Sequence, residues 1–186
     1  MRRGPTRSRT CSRRHRRSLS RVSFQIVDRP HDRPEFVREA IDIFARNCET
    51  GRARLMERVA RASDAEIAGG TETDWGVGMI AYHLLVSERG MVGIALRLAS
   101  GTQPASTGQP RPEPGKVTRA VLEEAAAKAA QAVARLRAEF PAAPNLALTA
   151  PSPYFEQFNC IAWLLAAAFH YQAHLEALER GGKSAF

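Results

Sequence analysis

The stretch Phe169-His170-Tyr171-Gln172-Ala173-His174 lies near the end of the last helix that the sequence predicts. Two histidines four positions apart on a helix are separated by about 6 Å along its axis and by roughly 40° around it, so both imidazoles can reach one metal ion. The chain has five histidines, and two of them, His15 and His31, fall in an N-terminal segment rich in arginine. His83 is therefore the third residue of the candidate site.

The predicted helix that carries this pair, helix 4, runs from Pro153 to about Arg180. Ser152 precedes it as the expected N-cap, and Gly181-Gly182 closes it. Residues at spacings of four, four, four, three, four and four share one side of this helix: Phe155, Asn159, Trp163, Ala167, His170, His174 and Leu178. Both histidines are therefore predicted to face the core.

Three further helices are predicted from apolar stripes of the same period. Helix 1 is expected from Asp32, its N-cap, to about Ala62, and a loop follows over Ser63 to Asp74. Helix 2 is expected from Trp75 to Gly101, with Thr73 or Asp74 as its N-cap, and helix 3 from Val117 to Phe140. Residues 101–115 contain four prolines and favour a crossover between parallel helices 2 and 3. Four amphipathic helices predict an all-α four-helix bundle.

Helix 2 contains four glycines, which could allow the close approach of a neighbouring helix or of a ligand, and the sequence leaves both interpretations open: Gly76, Gly78, Gly90 and Gly93.

Positive charge is concentrated at the N-terminus. The formal net charge is +8, but residues 1–22 hold nine arginines and no acidic residue, which leaves 27 minus nine, or 18, basic residues against 19 acidic ones. Residues 1–31 are predicted to be a disordered basic tail and residues 32–186 the bundle. The tail is open to three interpretations: a basic arm for nucleic acid or anionic lipid, a mitochondrial-type transit peptide, or a misassigned translation start.

The cysteine pattern argues against a disulfide framework. The three cysteines, at positions 11, 48 and 160, show no CxxC spacing, and two of them lie in apolar helical stretches. Buried thiols in a reducing, cytoplasmic compartment are expected. The longest apolar run, residues 160–169, is about half of what a membrane span needs, so no span is predicted.

The histidines can be interpreted either as structural core residues or as functional ones. A lone histidine on an apolar face is usually a hydrogen-bonded core residue. Burial of two imidazoles without partners costs on the order of a few kcal/mol, and metal coordination removes that cost. Since pairs at this spacing also arise by chance, the spacing alone leaves the choice open.

The order of these motifs resembles the DinB-like superfamily, which includes the bacillithiol transferases and the N-terminal domain of mycothiol-dependent maleylpyruvate isomerase. Residues 73–84 (TDWGVGMIAYHL) are similar to the segment of that family's helix 2 that leads from a tryptophan to a histidine, and residues 170–175 (HYQAHL) are similar to its closing histidine pair. The likeness covers about residues 34–182.

The resemblance implies an up-down-down-up bundle in which one helix 2 histidine and two helix 4 histidines hold a divalent ion. In this chain these residues are His83, His170 and His174. Zinc, nickel or iron would suit imidazole ligands. Many members have a His-His doublet at the last ligand with a glutamine soon after, whereas Ala173 and Leu175 flank His174 here. This departure bears on the substrate class.

The expected function is a divalent-metal-dependent transferase, or isomerase, that acts on a low-molecular-weight thiol. No protein nucleophile is assigned, and Ser87 and Tyr171 are candidates for orienting the imidazoles. The alternative is a non-catalytic bundle, a stress protein that binds a ligand or partner and uses the histidines as core hydrogen-bonding groups. A small molecule is the expected partner, a homodimer is left open, and nucleic acid is expected only through the tail.

Deletion of residues 1–22 tests the tail as a nucleic-acid arm. The rest of the chain has no basic excess, so the truncated protein should lose any affinity for DNA or RNA together with its salt dependence. Fluorescence anisotropy with a labelled oligonucleotide at two salt concentrations measures both. Binding that survives the deletion would rule out the tail as the binding element.

Overall fold

A computed structural model describes residues 34–105, 108, 111–153 and 156–179. The elements in chain order are α1 (Pro34–Ala60), α2 (Asp64–Ala68), α3 (Val77–Ala99), α4 (Arg119–Glu139), β1 (Ala150–Pro151), β2 (Gln157–Phe158) and α5 (Cys160–Glu179). The predicted tail, the Asp32 cap and the Gly181-Gly182 helix end lie outside these residues. The fold is all-α apart from two very short strands, and α1, α3, α4 and α5 are the four long helices.

The direction of α4 follows from arginine contacts at its two ends. Arg119 begins the helix and donates to the carbonyl oxygen of Val59, near the end of α1, at 3.2 Å. Arg137 lies near the other end of α4 and pairs with Asp42, close to the start of α1, at 3.3 Å. The two helices are therefore antiparallel.

Asn145 fixes the directions of the other two long helices. Its N–H donates to the carbonyl oxygen of Ala99, the last residue of α3, at 2.9 Å. The Cys160 thiol, at the start of α5, lies 3.7 Å from the carbonyl oxygen of Asn145. Leu136, near the end of α4, belongs to the same apolar cluster as Leu98 of α3 and Leu164 of α5. Since α3 and α4 end where α5 begins, α3 and α4 are parallel and α5 opposes both. The predicted up-down-down-up order, with a long crossover after α3, is confirmed.

The predicted start of the last helix was wrong. The helix begins at Cys160 and not at Pro153, because the preceding residues form an antiparallel pair in which Ala150 faces Phe158. Asn159 supplies the cap, since its side-chain oxygen accepts from the N–H of Ala162 at 3.0 Å. Asn159 therefore precedes the helix, and Phe155 lies outside the described residues.

A short helix interrupts the segment that was predicted to be a loop. Ser63 and Glu66 form a capping box: the Ser63 hydroxyl accepts from the Glu66 N–H at 3.2 Å, and the Glu66 carboxylate accepts from the Ser63 N–H at 2.8 Å. The resulting five-residue helix buries Ile67. Its Ser-x-x-Glu signature is present in the sequence, but a helix this short has no detectable apolar period.

The start of α3 also differs from the prediction. Gly76, in an extended conformation, is the N-cap. Asp74 instead closes a tight turn, in which its N–H donates to the Thr71 hydroxyl at 3.0 Å and its carbonyl oxygen accepts from the Thr71 N–H at 2.9 Å. Trp75 therefore stands before the helix, paired with Gly70 in an isolated antiparallel bridge.

The hydrophobic core is divided into two clusters along the bundle axis. The lower cluster, at the end where α1 begins, is represented by Ile41, Leu98, Leu136 and Leu164. The upper cluster, at the end where α1 finishes, is represented by Leu55, Leu84, Leu122 and Leu175. Among the buried polar side chains, Glu88 lies in α3 where the two clusters meet, and His83 and His174 lie among residues of the upper cluster.

Helix α3 is long and apolar enough to cross a membrane by composition alone. It is also the central helix of the bundle, and most of its apolar stretch is buried against the other helices. Its hydrophobicity is therefore explained by its position in the core.

Two glycines of α3 should respond in opposite ways to replacement by alanine. A Cβ atom at Gly78 would lie 2.1 Å from the carbonyl oxygen of Ile67, so G78A should lower the free energy of unfolding by about 1–3 kcal/mol through overpacking. A Cβ atom at Gly90 meets nothing within 4 Å, so G90A should raise it by about 0.5–1 kcal/mol through helix propensity.

Urea denaturation of the two variants and the parent protein measures both changes. Since the variants share one helix and one chemical change, each serves as the control for the other. Equal effects in the two variants would contradict the close packing of α2 on α3 at Gly78.

Candidate metal centre

The three predicted histidines come from two helices and lie at different depths. His83, in the second turn of α3, is 0% exposed, and His174 of α5 is 6% exposed. His170, one turn before His174, keeps intermediate exposure. Two of the three imidazoles are thus withdrawn from water and need compensating partners.

The three rings converge on one point. The Nε2 atom of His170 lies 3.1 Å from Nε2 of His83 and 3.1 Å from Nε2 of His174. One ligand nitrogen from each ring can be chosen so that all three lie within 4.8 Å of one another. The structure therefore brings together all three residues of the predicted site, and metal binding by them remains a prediction.

Hydrogen bonding among the rings explains this arrangement less well than a shared cation does. An imidazole nitrogen either carries one hydrogen or offers one in-plane lone pair. The Nε2 atom of His170 has two close nitrogen neighbours, and a single hydrogen or lone pair satisfies one of them well. A cation between the rings would accept the lone pairs of all three.

The distances between the nitrogens fit a first-row divalent ion. For metal–nitrogen bonds of about 2.0–2.1 Å, ligands are roughly 3.3–3.4 Å apart at a tetrahedral angle and about 2.9 Å apart at a right angle. The two separations of 3.1 Å lie between these values. Three neutral imidazoles also leave coordination positions free, as in catalytic sites.

The electrostatics of the site keep the imidazoles of His170 and His174 neutral. Burial, and then the charges that His83 and His174 would carry, lower the pKa of His170 to about 3. Burial, and then the charge that His83 would carry, lower the pKa of His174 to about 4. At neutral pH both rings therefore keep a lone pair, which is the form that binds metals.

Trp75 packs against the buried candidate ligand of α3, His83. Its ring meets the His83 imidazole edge to face, with the ring centroids 5.1 Å apart. Its indole N–H donates to the carbonyl oxygen of Glu72 at 3.2 Å, which anchors the ring to the turn before α3. The turn thus holds Trp75 where it restricts rotation of the His83 side chain.

The two residues predicted to orient the imidazoles do not do so through hydrogen bonds. The hydroxyl of Ser87 is buried and has no hydrogen-bond partner in the part of the chain that the structure describes. The Tyr171 hydroxyl donates to the carboxylate of Glu88 at 2.5 Å. Tyr171 therefore connects α5 to α3 and does not contact a ligand ring with its polar atom.

Glu88 is a functional candidate that the sequence analysis missed. It is 1% exposed, and its two carboxylate oxygens accept separately, one from Tyr171 and one from the guanidinium of Arg52 on α1. Burial raises the pKa of the Glu88 carboxyl, whereas the Tyr171 hydrogen bond and the Arg52 charge lower it. The available signal was a lone acidic residue within the apolar sequence of helix 2.

The two described cysteines are free and buried, as expected. Burial raises the pKa of the Cys48 thiol to about 12, and the charge of Glu88 contributes in the same direction. Burial also raises the pKa of Cys160. Both groups are therefore thiols, and not thiolates, at neutral pH.

Comparisons with known proteins agree with the fold and with the order of the motifs. The sequence profile of the DinB superfamily matches residues 47–178, which include all three histidines. A solved structure described as "TT2238, a four-helix bundle protein" superposes with a TM-score of 0.51 and 25% identity, and the alignment covers 75% of this chain and 98% of that one. Among proteins with curated functions, none matches the chain.

Proposed function

This chain belongs to the DinB superfamily, and we propose that it is a divalent-metal-dependent transferase that acts on a low-molecular-weight thiol. The observation that supports the metal is the convergence of three imidazole nitrogens inside the bundle. The thiol is proposed from the likeness of the two histidine segments to bacillithiol and mycothiol-dependent members of the superfamily. A cytoplasmic location is proposed with it, since reduced thiols are stable there.

His83, His170 and His174 would hold the ion through Nε2, because these are the atoms that meet. When bound, a divalent ion supplies Lewis acidity, which lowers the pKa of a thiol or water in its coordination sphere. Zinc, nickel and iron are all compatible with imidazole ligands, and the free coordination positions would accept the substrate.

The two thiols in the described part of the chain are unsuited to act as the nucleophile. Cys48 and Cys160 are buried, and burial raises the pKa of both. A thiol held in the protonated form is a weak nucleophile at neutral pH. The proposal therefore assigns the nucleophilic sulfur to the small substrate, and assigns binding and orientation to the chain.

The environment of the cluster suits a small, partly desolvated substrate. His83 and His174 are buried, and Trp75 packs on the His83 ring. His170 is the more exposed of the ligands and leaves an approach from solvent. Water would be displaced as a substrate entered, which strengthens electrostatic interactions within the site.

The substitution H83A tests the metal assignment directly. Loss of one of three ligands should lower the affinity for zinc or nickel by more than the roughly tenfold to hundredfold typical for loss of a supporting partner. Elemental analysis gives the stoichiometry, and competition with a chromophoric chelator gives the affinity. S87A, a buried change one turn further along α3, is the matched control. Unchanged stoichiometry and affinity in H83A would contradict the assignment of His83 as a metal ligand.

Removal of metal distinguishes this proposal from a non-catalytic bundle. At a free ion concentration 100 times the Kd, binding stabilises the folded state by about 2.7 kcal/mol. For a domain of this size that corresponds to a rise in Tm of roughly 5–10 °C. Calorimetry with added zinc and then with excess EDTA measures the rise and its loss. Identical Tm values under both conditions would favour histidines that serve only as core hydrogen-bonding groups.

A further inference from the structure

We infer that Arg52, Glu88 and Tyr171 form a polar lock that sets the position of α5 relative to α3 and thereby places His170 and His174 opposite His83. The inference rests on the proposed function, because it assigns these three residues the task of positioning the metal ligands. None of the three donates a ligand atom to the cluster. They are therefore positioning residues.

The polar lock joins three helices through one carboxylate. The Tyr171 hydroxyl of α5 donates to one oxygen of Glu88 on α3 at 2.5 Å, and the Arg52 guanidinium of α1 donates to the other. The Glu88 side chain is 0% exposed and that of Arg52 is 12% exposed. Water therefore competes little with these bonds, and each is directional.

The polar lock lies next to the metal ligands in both helices. Tyr171 directly follows His170 and precedes His174 by three residues, and Glu88 follows His83 by five residues. A shift of α5 by one residue moves it about 1.5 Å along its axis and turns it by roughly 100°. Ligand atoms must be placed to within about 0.5 Å. A shift that broke the Tyr171–Glu88 bond would therefore also separate the ligands.

Gly51 of α1 provides the space that the lock requires. A Cβ atom at this position would lie 2.7 Å from Cγ and 2.8 Å from Cβ of Tyr171. These distances are shorter than carbon atoms can approach without displacement. The tyrosine ring thus rests against bare backbone on α1 while its hydroxyl reaches α3, which fixes the ring at both ends.

Hydrophobic packing alone would set this position less sharply. The lock lies where the lower and upper clusters meet: Arg52 falls between Cys48 and Leu55 in α1, Glu88 falls between Leu85 and Met91 in α3, and the Tyr171 ring belongs to the upper cluster. Apolar contact is non-directional. A buried ion pair generally contributes little net stability compared with apolar side chains of the same size. The geometry therefore points to a positional role for the lock.

Y171F tests the inference with the smallest change. The ring and its contact with Gly51 are kept, and only the hydroxyl is lost. We expect the affinity for zinc and nickel to fall about tenfold to a hundredfold, the range found for groups that support metal ligands. The control is I41V, a conservative change in the lower cluster that should lower the Tm without altering the lock. Lower Tm in both variants but lower affinity only in Y171F would support positioning.

G51A provides a second test in which no polar atom changes. The added methyl group should displace the Tyr171 ring and lower metal affinity in the same direction as Y171F. G90A is the matched control, since a Cβ atom there meets nothing within 4 Å and the affinity should not change. This pair also keeps the inference testable if Y171F fails to fold.

A double-mutant cycle with E88Q tests whether the residues act as one unit. If Tyr171 and Glu88 position the ligands through their shared bond, the double variant should lose little more metal affinity than either single variant. Losses that multiply would show independent effects and would overturn the lock.

The outcomes separate the lock from the proposed function. If the parent protein binds zinc through its histidines and both Y171F and G51A bind with the parent's affinity, the lock is wrong and the metal assignment stands. If the parent binds neither zinc, nickel nor iron, the metal assignment is wrong, and the lock is judged by the imidazole ¹⁵N resonances of His170 and His174. Resonances that move in Y171F but not in I41V support it, and resonances that stay in place overturn it.

Discussion

The structure depends on the burial of polar side chains in the core of a helical bundle. His83, Glu88 and His174 are 0%, 1% and 6% exposed, and each removes a strongly hydrated group from water. Such burial is destabilising unless every group finds a partner. Glu88 meets a guanidinium and a phenol, and the imidazoles meet one another. The relative placement of α1, α3 and α5 follows from these pairings.

Apolar residues pack around these polar side chains and fill the rest of the core. The lower and upper clusters fill the two ends of the bundle. Helix α4 contributes alanines, Ala125 and Ala129, to the upper cluster and no buried polar side chain. Short side chains let helices approach closely without adding groups that would need partners. The buried polar side chains thus come from α3 and α5, and Arg52 of α1 pairs with one of them.

Periodicity predicted much of the fold because it reports which face of a helix is buried. It placed the four long helices and put His170 and His174 on an inward face. It failed where a local preference was overridden: Pro153 suits a helix start, yet pairing of Ala150 with Phe158 delays the helix to Cys160. Periodicity also gave no indication of α2, since the sequence signal for this short helix is a single capping box. The partners of Glu88, at positions 52 and 171, are too distant in sequence for any local pattern to reveal.

The separation of roles within α3 explains how one helix can serve both the fold and the site. His83 would contribute a ligand nitrogen under the proposed function, and Glu88, about one and a half turns later, contributes the carboxylate that accepts from Arg52 of α1 and Tyr171 of α5. Under the inferred lock, the bond between Tyr171 and Glu88 would set the distance between His170 and His83. Changes around Glu88 could therefore tune metal affinity while all three ligands remain. In a site built in this way, residues that do not contact the ion would determine the positions of its ligands.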